Sequence, residues 1–397
     1  MNKKLIVSML ITLLFLTLLS STHTFASYDV EWTKKSDLPQ ARAGSAIVEY
    51  KNNIYVFGGT SDGLGAAPGN KTNTTFVYNP IHDTWSEKSS MPTVRSAASA
   101  TVLNNKIYVI GGYQGPNANK KLNTVEIYDP FTDTWTSGKP LPVERSWPGV
   151  TVIEGKIYIF GGGTPSDLPS NTVYSYDPLN DEWSTMSPLP INMYNASVIK
   201  ANDRVYLMDS TGYLLEYNPE IDSYSQKAKA PEKLGGSFSF IEYKGKLLTM
   251  GNQNNTIVYS YDPNSDNWDK AFDLSFLRYQ NGAVTVNGNI YVIGGWNKVN
   301  ILNTVEMLSV KDTQPEPSGN RAILTIIMTT GLEKEFDLSM QEVNDFINWY
   351  DAKENGYGPA RYGIDKHNNN KGPFSKRIDY VIFKNILSFE VNEYTTE

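Results

Sequence analysis

Ile54-Tyr55-Val56-Phe57-Gly58-Gly59 returns as Ile107-Tyr108-Val109-Ile110-Gly111-Gly112, as Ile157-Tyr158-Ile159-Phe160-Gly161-Gly162 and as Ile290-Tyr291-Val292-Ile293-Gly294-Gly295. Two degenerate copies lie between, Val205-Tyr206-Leu207-Met208-Asp209-Ser210 and Leu247-Leu248-Thr249-Met250-Gly251-Asn252. The first glycine position advances by 53, 50, 48, 42 and 43 residues, so one unit occurs six times. A period in this range belongs to chains whose supersecondary unit buries its apolar face against the next copy. The runs are short and β-branched, and turn residues separate them from others such as Ser99–Leu103 and Thr124–Tyr128. The glycine pair permits φ values and close approaches that a Cβ forbids. Most of the chain therefore reads as β-structure.

A second signature travels with the first. Tyr128-Asp129-Pro130-Phe131-Thr132-Asp133-Thr134-Trp135 has counterparts ending at Trp85, Trp183, Tyr224 and Trp268. Leu-Pro follows, as Leu141-Pro142, and then an arginine three residues past the proline. Asp-Pro-x-x-Asp is a turn, because proline presets φ and aspartate side chains satisfy local backbone groups. From Trp32 to about Val310 the pattern resembles the kelch repeat, which implies one four-stranded propeller blade (strands a to d) per unit. The last unit supplies strands a to c, and Glu31-Trp32-Thr33 with Leu38-Pro39 supplies a Trp segment ahead of the first. The expectation is a six-bladed kelch β-propeller over 27–310, closed by an N-terminal strand so that no sheet edge is left open.

Composition narrows the chemistry. The 397 residues include 25 Tyr and 8 Trp, no cysteine and three histidines. Disulfides, thiol nucleophiles and cysteine-ligated zinc are excluded. So is the Tyr–Cys cofactor of the copper-radical oxidases built on similar propellers. Lys3 and Lys4, the apolar run Leu5–Leu19 and the small-residue site ending at Ala26 mark residues 1–26 as an export signal. Its removal takes the formal charge from −7 to −9, since both lysines leave. An acidic, secreted chain without basic clusters is not expected to bind nucleic acid or, once the signal is cleaved, to insert in a membrane. It is expected to be monomeric.

Lys311–Asn320 reads as a polar, proline-bearing linker, and 321–397 as a small ββαβ module. In it Ala322–Thr329 is a strand that Phe336–Leu338 joins, and Ser339 with Glu342 forms a capping box. Met340, Val343, Phe346, Ile347 and Tyr350 share one helix face, Asn355-Gly356 stops the helix, and a Gly-rich loop leads to a last strand over Ile378–Val391. Segments 346–350 and 372–383 resemble a short C-terminal module of exported Gram-positive repeat proteins. Asp365, His367, Asn368 and Asn369 read as a solvated loop, because calcium loops place acidic ligands more densely. No cofactor or metal is expected.

Gly59-Thr60-Ser61-Asp62-Gly63 fits a nucleophile motif, but no helix follows to form the elbow. Ser61 and His82 sit on loops at opposite ends of a blade, so no dyad forms. The remaining candidates are ligand-binding. Loops b–c and d–a share one face, where we place Arg42, Arg95, Arg145 and Arg278 with Tyr113, Trp147, Tyr194, Tyr279 and Trp296. Aromatic platforms and guanidinium donors suit a glycan or an acidic protein segment, and Arg95→Ala with Trp147→Ala is expected to abolish capture with the fold intact. The bland alternative has these arginines tying loops together. The leading expectation is a non-catalytic binding or scaffold protein with a protein or glycan partner. The alternatives are a sialic-acid mutarotase-like isomerase, a family that similar exported propellers include, and a purely structural surface protein.

Overall fold

The computed structural model describes residues 29–61, 71–115, 120–201, 203–311, 321–354, 359–365 and 378–394. The expected export signal, residues 312–320 of the linker, Asp62 and Gly63, the Asn355-Gly356 stop and His367, Asn368 and Asn369 lie outside the described residues. The chain divides into two compact units, Met1–Lys311 and Asp312–Glu397.

The first unit contains six four-stranded antiparallel sheets. Sheet I is Ala46–Tyr50, Asn53–Phe57, Thr75–Asn79 and Thr84–Lys88, and sheets II to V repeat that meander in chain order. Sheet VI takes strands a to c from Gly282–Val286, Asn289–Ile293 and Val305–Lys311, and its fourth strand from Asp29–Lys35, with Trp32 opposite Leu308. Each strand a lies beside the strand a of the next sheet, and that of sheet VI lies beside that of sheet I.

Strand b explains why the repeat is apolar without alternation. Side chains alternate across a strand, and a strand buried on both faces reads as a continuous apolar run. Ile54 and Val56 pack with Tyr291 and Ile293 of sheet VI, whereas Tyr55 and Phe57 pack with Ile107 and Val109 of sheet II. Tyr108 and Ile110 then turn to Ile157 and Ile159 of sheet III. Similar cores join III to IV, IV to V and V to VI. Each core is shared, so no sheet has a hydrophobic centre of its own.

The turn signature does more than turn. Asp129 accepts a hydrogen bond from the Phe131 N–H, as a local cap should. Asp133 instead sits at φ 55, accepts from the Tyr128 hydroxyl at 2.7 Å and accepts the Ser89 N–H of the preceding sheet at 2.9 Å. Trp135 donates its indole N–H to the Ser89 carbonyl. The same indole or phenol bond reaches back from Trp85 to Ser36, Trp183 to Lys139, Tyr224 to Ser187, Trp268 to Ala228 and Trp32 to Asp273. The motif aromatic is therefore a fastener between sheets as well as a packing residue. Near the unit's centre, Ser99, Ser197 and Ser239 hydroxyls donate to carbonyls of the next sheet.

In the second unit the order is Glu333–Ser339, Arg321–Met328, Ile386–Tyr394, a three-stranded sheet. Ala322, Leu324 and Ile326 alternate onto the face that helix Met340–Glu354 covers with Val343, Phe346 and Trp349. Ser339 and Glu342 exchange the capping-box hydrogen bonds. Two features differ from the ββαβ expectation. Arg361–Asp365, read as loop, is a strand paired with Ile378–Ile382, and a 3-10 turn at Phe383–Asn385 divides the expected last strand. The glycine-rich sequence masked the first strand, whose Ile364 reaches the core beside Val381.

Candidate functional site

Each d–a loop runs beside a b–c loop. Residues one past the motif arginine exchange paired N–H···O=C bonds with residues one past the glycine pair. These pairs are Ala43 with Thr60, Ser96 with Tyr113, Ser146 with Gly163 and Tyr279 with Trp296. The two loop sets thus form one face, and the structure brings the nine candidate residues to it at different depths.

The four arginines lie under that face. Arg42, Arg95, Arg145 and Arg278 are 0–3% exposed. Arg95 donates to the Gly111 carbonyl at 2.9 Å and holds Glu126 at 2.8 Å in an ionic contact whose angle is not that of a hydrogen bond. Its own carbonyl accepts the Gly59 N–H of sheet I at 2.9 Å. Arg278 pairs with Glu306 and lies 4.0 Å from the Phe276 ring, and its backbone carbonyl accepts the Asn252 N–H of sheet V. Arg145 donates to Thr172 at 2.6 Å, and Arg42 to the Ala41 carbonyl and Gln40. Desolvation lowers the pKa of all four, that of Arg278 to about 10. The guanidinium groups are engaged inside the fold while the backbone carbonyls of the same residues reach the neighbouring sheet, which corrects the expectation that they present donors to a ligand. For Arg95 and Arg278 the physical reason is that a Gly-Gly carbonyl and a strand-c glutamate turn inward and the guanidinium follows them, whereas Arg145 turns to the Thr172 hydroxyl and Arg42 to its own loop.

The aromatic candidates fall into three places. Tyr113 is buried, with Lys71 Nζ 5.0 Å and Lys121 Nζ 5.7 Å from its ring centroid. Lys121 pairs at 2.7 Å with Asp167, whose carboxylate also accepts from the Tyr194 hydroxyl at 3.3 Å. The hydrogen bond from Lys121 depresses the Asp167 pKa, and burial raises those of Tyr113 and Tyr194. The side chain of Asp167 is 70% exposed, so this cluster opens to solvent. Tyr279 and Trp296 pack on each other at 5.1 Å, Tyr279 fully inside. Trp147, half-buried, lines a cavity of about 200 Å³ that touches strand a of all six sheets. No titratable side chain among the described residues lines this cavity. Among the described residues no group of three or more His, Asp or Glu is placed to hold a metal ion, and no helix is long and apolar enough to cross a membrane.

Sequence reasoning missed Lys71, Lys121, Asp167, Glu126 and Glu306. The first three lie in the long b–c loops, where length was visible but side-chain direction was not. The glutamates had a signal: Thr124-Val125-Glu126 and Thr304-Val305-Glu306 recur in two units that also carry the arginine.

Six repeated sheets with shared cores and these two signatures define a repeat protein of propeller type. The KLHDC2/KLHL20/DRC7 Kelch-repeats domain matches residues 17–209, and the Kelch motif matches residues 277–314. The chain is a kelch-repeat protein. It is 29% identical over 290 residues to kelch-like protein 23 of Homo sapiens, covering 70% of this chain and 42% of that protein. Alpha-scruin of Limulus polyphemus is 35% identical over 83 residues, 21% of this chain and 9% of scruin. The chain thus spans less than half the length of these relatives. The solved structure of YjhT superposes with a TM-score of 0.59 at 17% identity, covering 70% of this chain and 98% of that one. At that identity the likeness is one of fold. The interval 210–276 between the two family matches contains the fifth unit, with Gly235 in the arginine position and Gly251-Asn252 for the glycine pair, while Met193 and Asp209 of the degenerate fourth unit lie inside the first match.

Proposed function

We propose that the protein is an exported, non-catalytic binding protein whose six sheets are the blades of a closed propeller. Its partner is a protein segment held on the b–c and d–a loop face above sheets I to III. The observation that carries this reading is the Lys71–Tyr113–Lys121–Asp167–Tyr194 cluster. Side chains from three long loops and the entry to sheet IV converge there, around a solvent-facing carboxylate. Loops on a rigid scaffold are where binding residues concentrate, and ordered aromatic and charged groups cost little to immobilise. Kelch-repeat proteins mediate protein interactions, which agrees with the class of partner. A sugar isomerase needs acid–base groups at its site, and among the described residues the lining of the axial cavity presents none.

The test is a displayed-peptide library selected on the full chain and counter-screened on Lys71→Glu/Asp167→Asn. Asparagine is chosen because Asp167 sits at φ 64, a backbone region it tolerates. Enriched peptides should bind the variant at least about tenfold more weakly, about 1.4 kcal/mol. Peptides that bind both forms equally would move the site elsewhere.

A further inference from the structure

At the mouth of the axial cavity the residues two past the arginine position form a chain of backbone hydrogen bonds. Gln280 donates to Ser237, Gly44 to Gln280, Ala97 to Gly44 and Trp147 to Ala97, at 2.7–2.9 Å. Trp147 adopts φ 50 to take its place, a conformation a bulky side chain rarely accepts. Its indole reaches over Ala97 to Gly44, where an added Cβ would meet the ring at 3.1 Å. Gly44, Ala97, Asn195 and Gln280 share this positive φ at the equivalent place, so the repeat imposes the backbone and only the indole is peculiar to Trp147. Asn195 Oδ1 and Ser237 Oγ, on two residues that line the cavity, are buried without a hydrogen-bond partner. Buried polar atoms left unpaired are few in folded proteins and call for an explanation.

We propose that this cavity is a second binding site, for one neutral, hydroxyl-rich ring such as a single sugar residue, with Trp147 as its stacking face. Three properties select that class. The volume, about 200 Å³, is on the scale of one ring with its hydroxyls. The described lining combines serines and asparagines with apolar residues, Phe238 and Phe240 among them, and carries no charge, so an anion or cation entering would be desolvated with no counter-charge. The half-buried indole at the mouth supplies the apolar face that the ring's C–H edges need. Asn195 and Ser237, both in the lining, are partners for hydroxyls that reach them.

This site is separable from the loop-face cluster, so the two proposals fail independently. Saturation-transfer NMR and calorimetry on the full chain would use N-acetylglucosamine, galactose and mannose as probes, with N-acetylneuraminic acid as the anionic comparator. At least one neutral sugar is expected to bind, and Trp147→Ala should weaken it by about tenfold. The fold should survive, because Ala97 occupies the equivalent place at φ 56. Ser237→Ala should weaken binding without lowering the melting temperature. Lys71→Glu/Asp167→Asn should leave it unchanged. No neutral sugar bound at about 50 mM, equal affinity of Trp147→Ala, or preference for the anionic sugar would each overturn the proposal.

Discussion

Arg95 offers the sharpest test of the buried-arginine geometry. Arg95→Ala leaves the Glu126 carboxylate 5% exposed with its counter-charge removed, and it strips donors from the Gly111 and Thr124 carbonyls. Removing one partner of a buried pair costs about 3–5 kcal/mol, because the survivor is an uncompensated charge. At roughly 2–4 °C per kcal/mol for a large domain, the melting temperature should fall by about 6–20 °C. The fourth unit shows how the site can be rebuilt. There Met193 stands in the arginine position and Leu215 in that of Glu126, both fully buried in one apolar core. The Met193 carbonyl still accepts the Gly162 N–H, as the Arg145 carbonyl accepts that of Gly112. Arg95→Met/Glu126→Leu copies that pair and should lie within about 1–2 kcal/mol of the parent, on either side. Urea denaturation of the parent, the two single variants and the double variant would measure the coupling. A cost below about 1 kcal/mol for Arg95→Ala, or additive single effects, would refute the argument and return the guanidinium to the ligand face. The expectation that Arg95→Ala with Trp147→Ala silences binding with the fold intact is replaced accordingly.

The Tyr–Asp fasteners predict the pH profile. Burial opposes ionisation of Asp83, Asp133 and Asp222, but hydrogen bonds from tyrosine and from the preceding sheet outweigh it, and the pKa of each is lowered. A depressed carboxylate stabilises the fold above its unfolded pKa, near 3.9, and that contribution vanishes as pH falls through the folded value. Burial and the same carboxylates raise the pKa of Tyr78, Tyr128 and Tyr217, so their contribution is present below about pH 10 and lost as pH rises beyond it. Thermal melts should plateau between these limits, and Tyr128→Phe should flatten the alkaline limb; an unchanged limb counts against the bond. Gly58→Ala places a Cβ 2.4 Å from the Arg95 carbonyl oxygen at φ +60, so a loss of at least about 2 kcal/mol is expected by denaturation. Less than half of that would mean the sheets can part there. Trp32→Ala removes the indole bond to Asp273 and the edge contact with Phe272 at 6.2 Å, and should cost about 2–4 kcal/mol. Trp32→Phe should recover all but about 1 kcal/mol, and limited proteolysis would report release of Asp29–Lys35.

The recurrence of Ile54–Gly59 made the sheets legible, because a continuous apolar run ending in Gly-Gly has few solutions other than a strand buried on both faces. Pairing of Asp29–Lys35 with Val305–Lys311 was legible for a different reason: one unit lacked a Trp segment and one segment lacked a unit. The hairpin in the second unit was not, since Gly363 and the flanking Arg361 and Asp365 hide an alternation that Tyr362 and Ile364 carry inward. Depth was the quantity missing at the candidate site. Arg95 and Lys121 look alike in a loop sequence, yet one reaches Glu126 inside a sheet and the other reaches an exposed Asp167.

A general reason lies behind that error. Every unit must solve the same packing problem against its neighbours, so residues that keep the repeat's period are selected by structure. The motif arginine, the motif tryptophan, the turn aspartate and the glycine pair all prove to be joints between sheets. A ligand breaks the symmetry of the disc, and groups that meet it have no cause to recur in each unit. In the two proposed sites Lys71, Asp167 and Trp147 do not recur: two stand in loops of unequal length, and the third is a tryptophan where its counterparts include Gly44, Ala97 and Gln280. Recognition chemistry in this chain is therefore to be sought in what the repeat does not share.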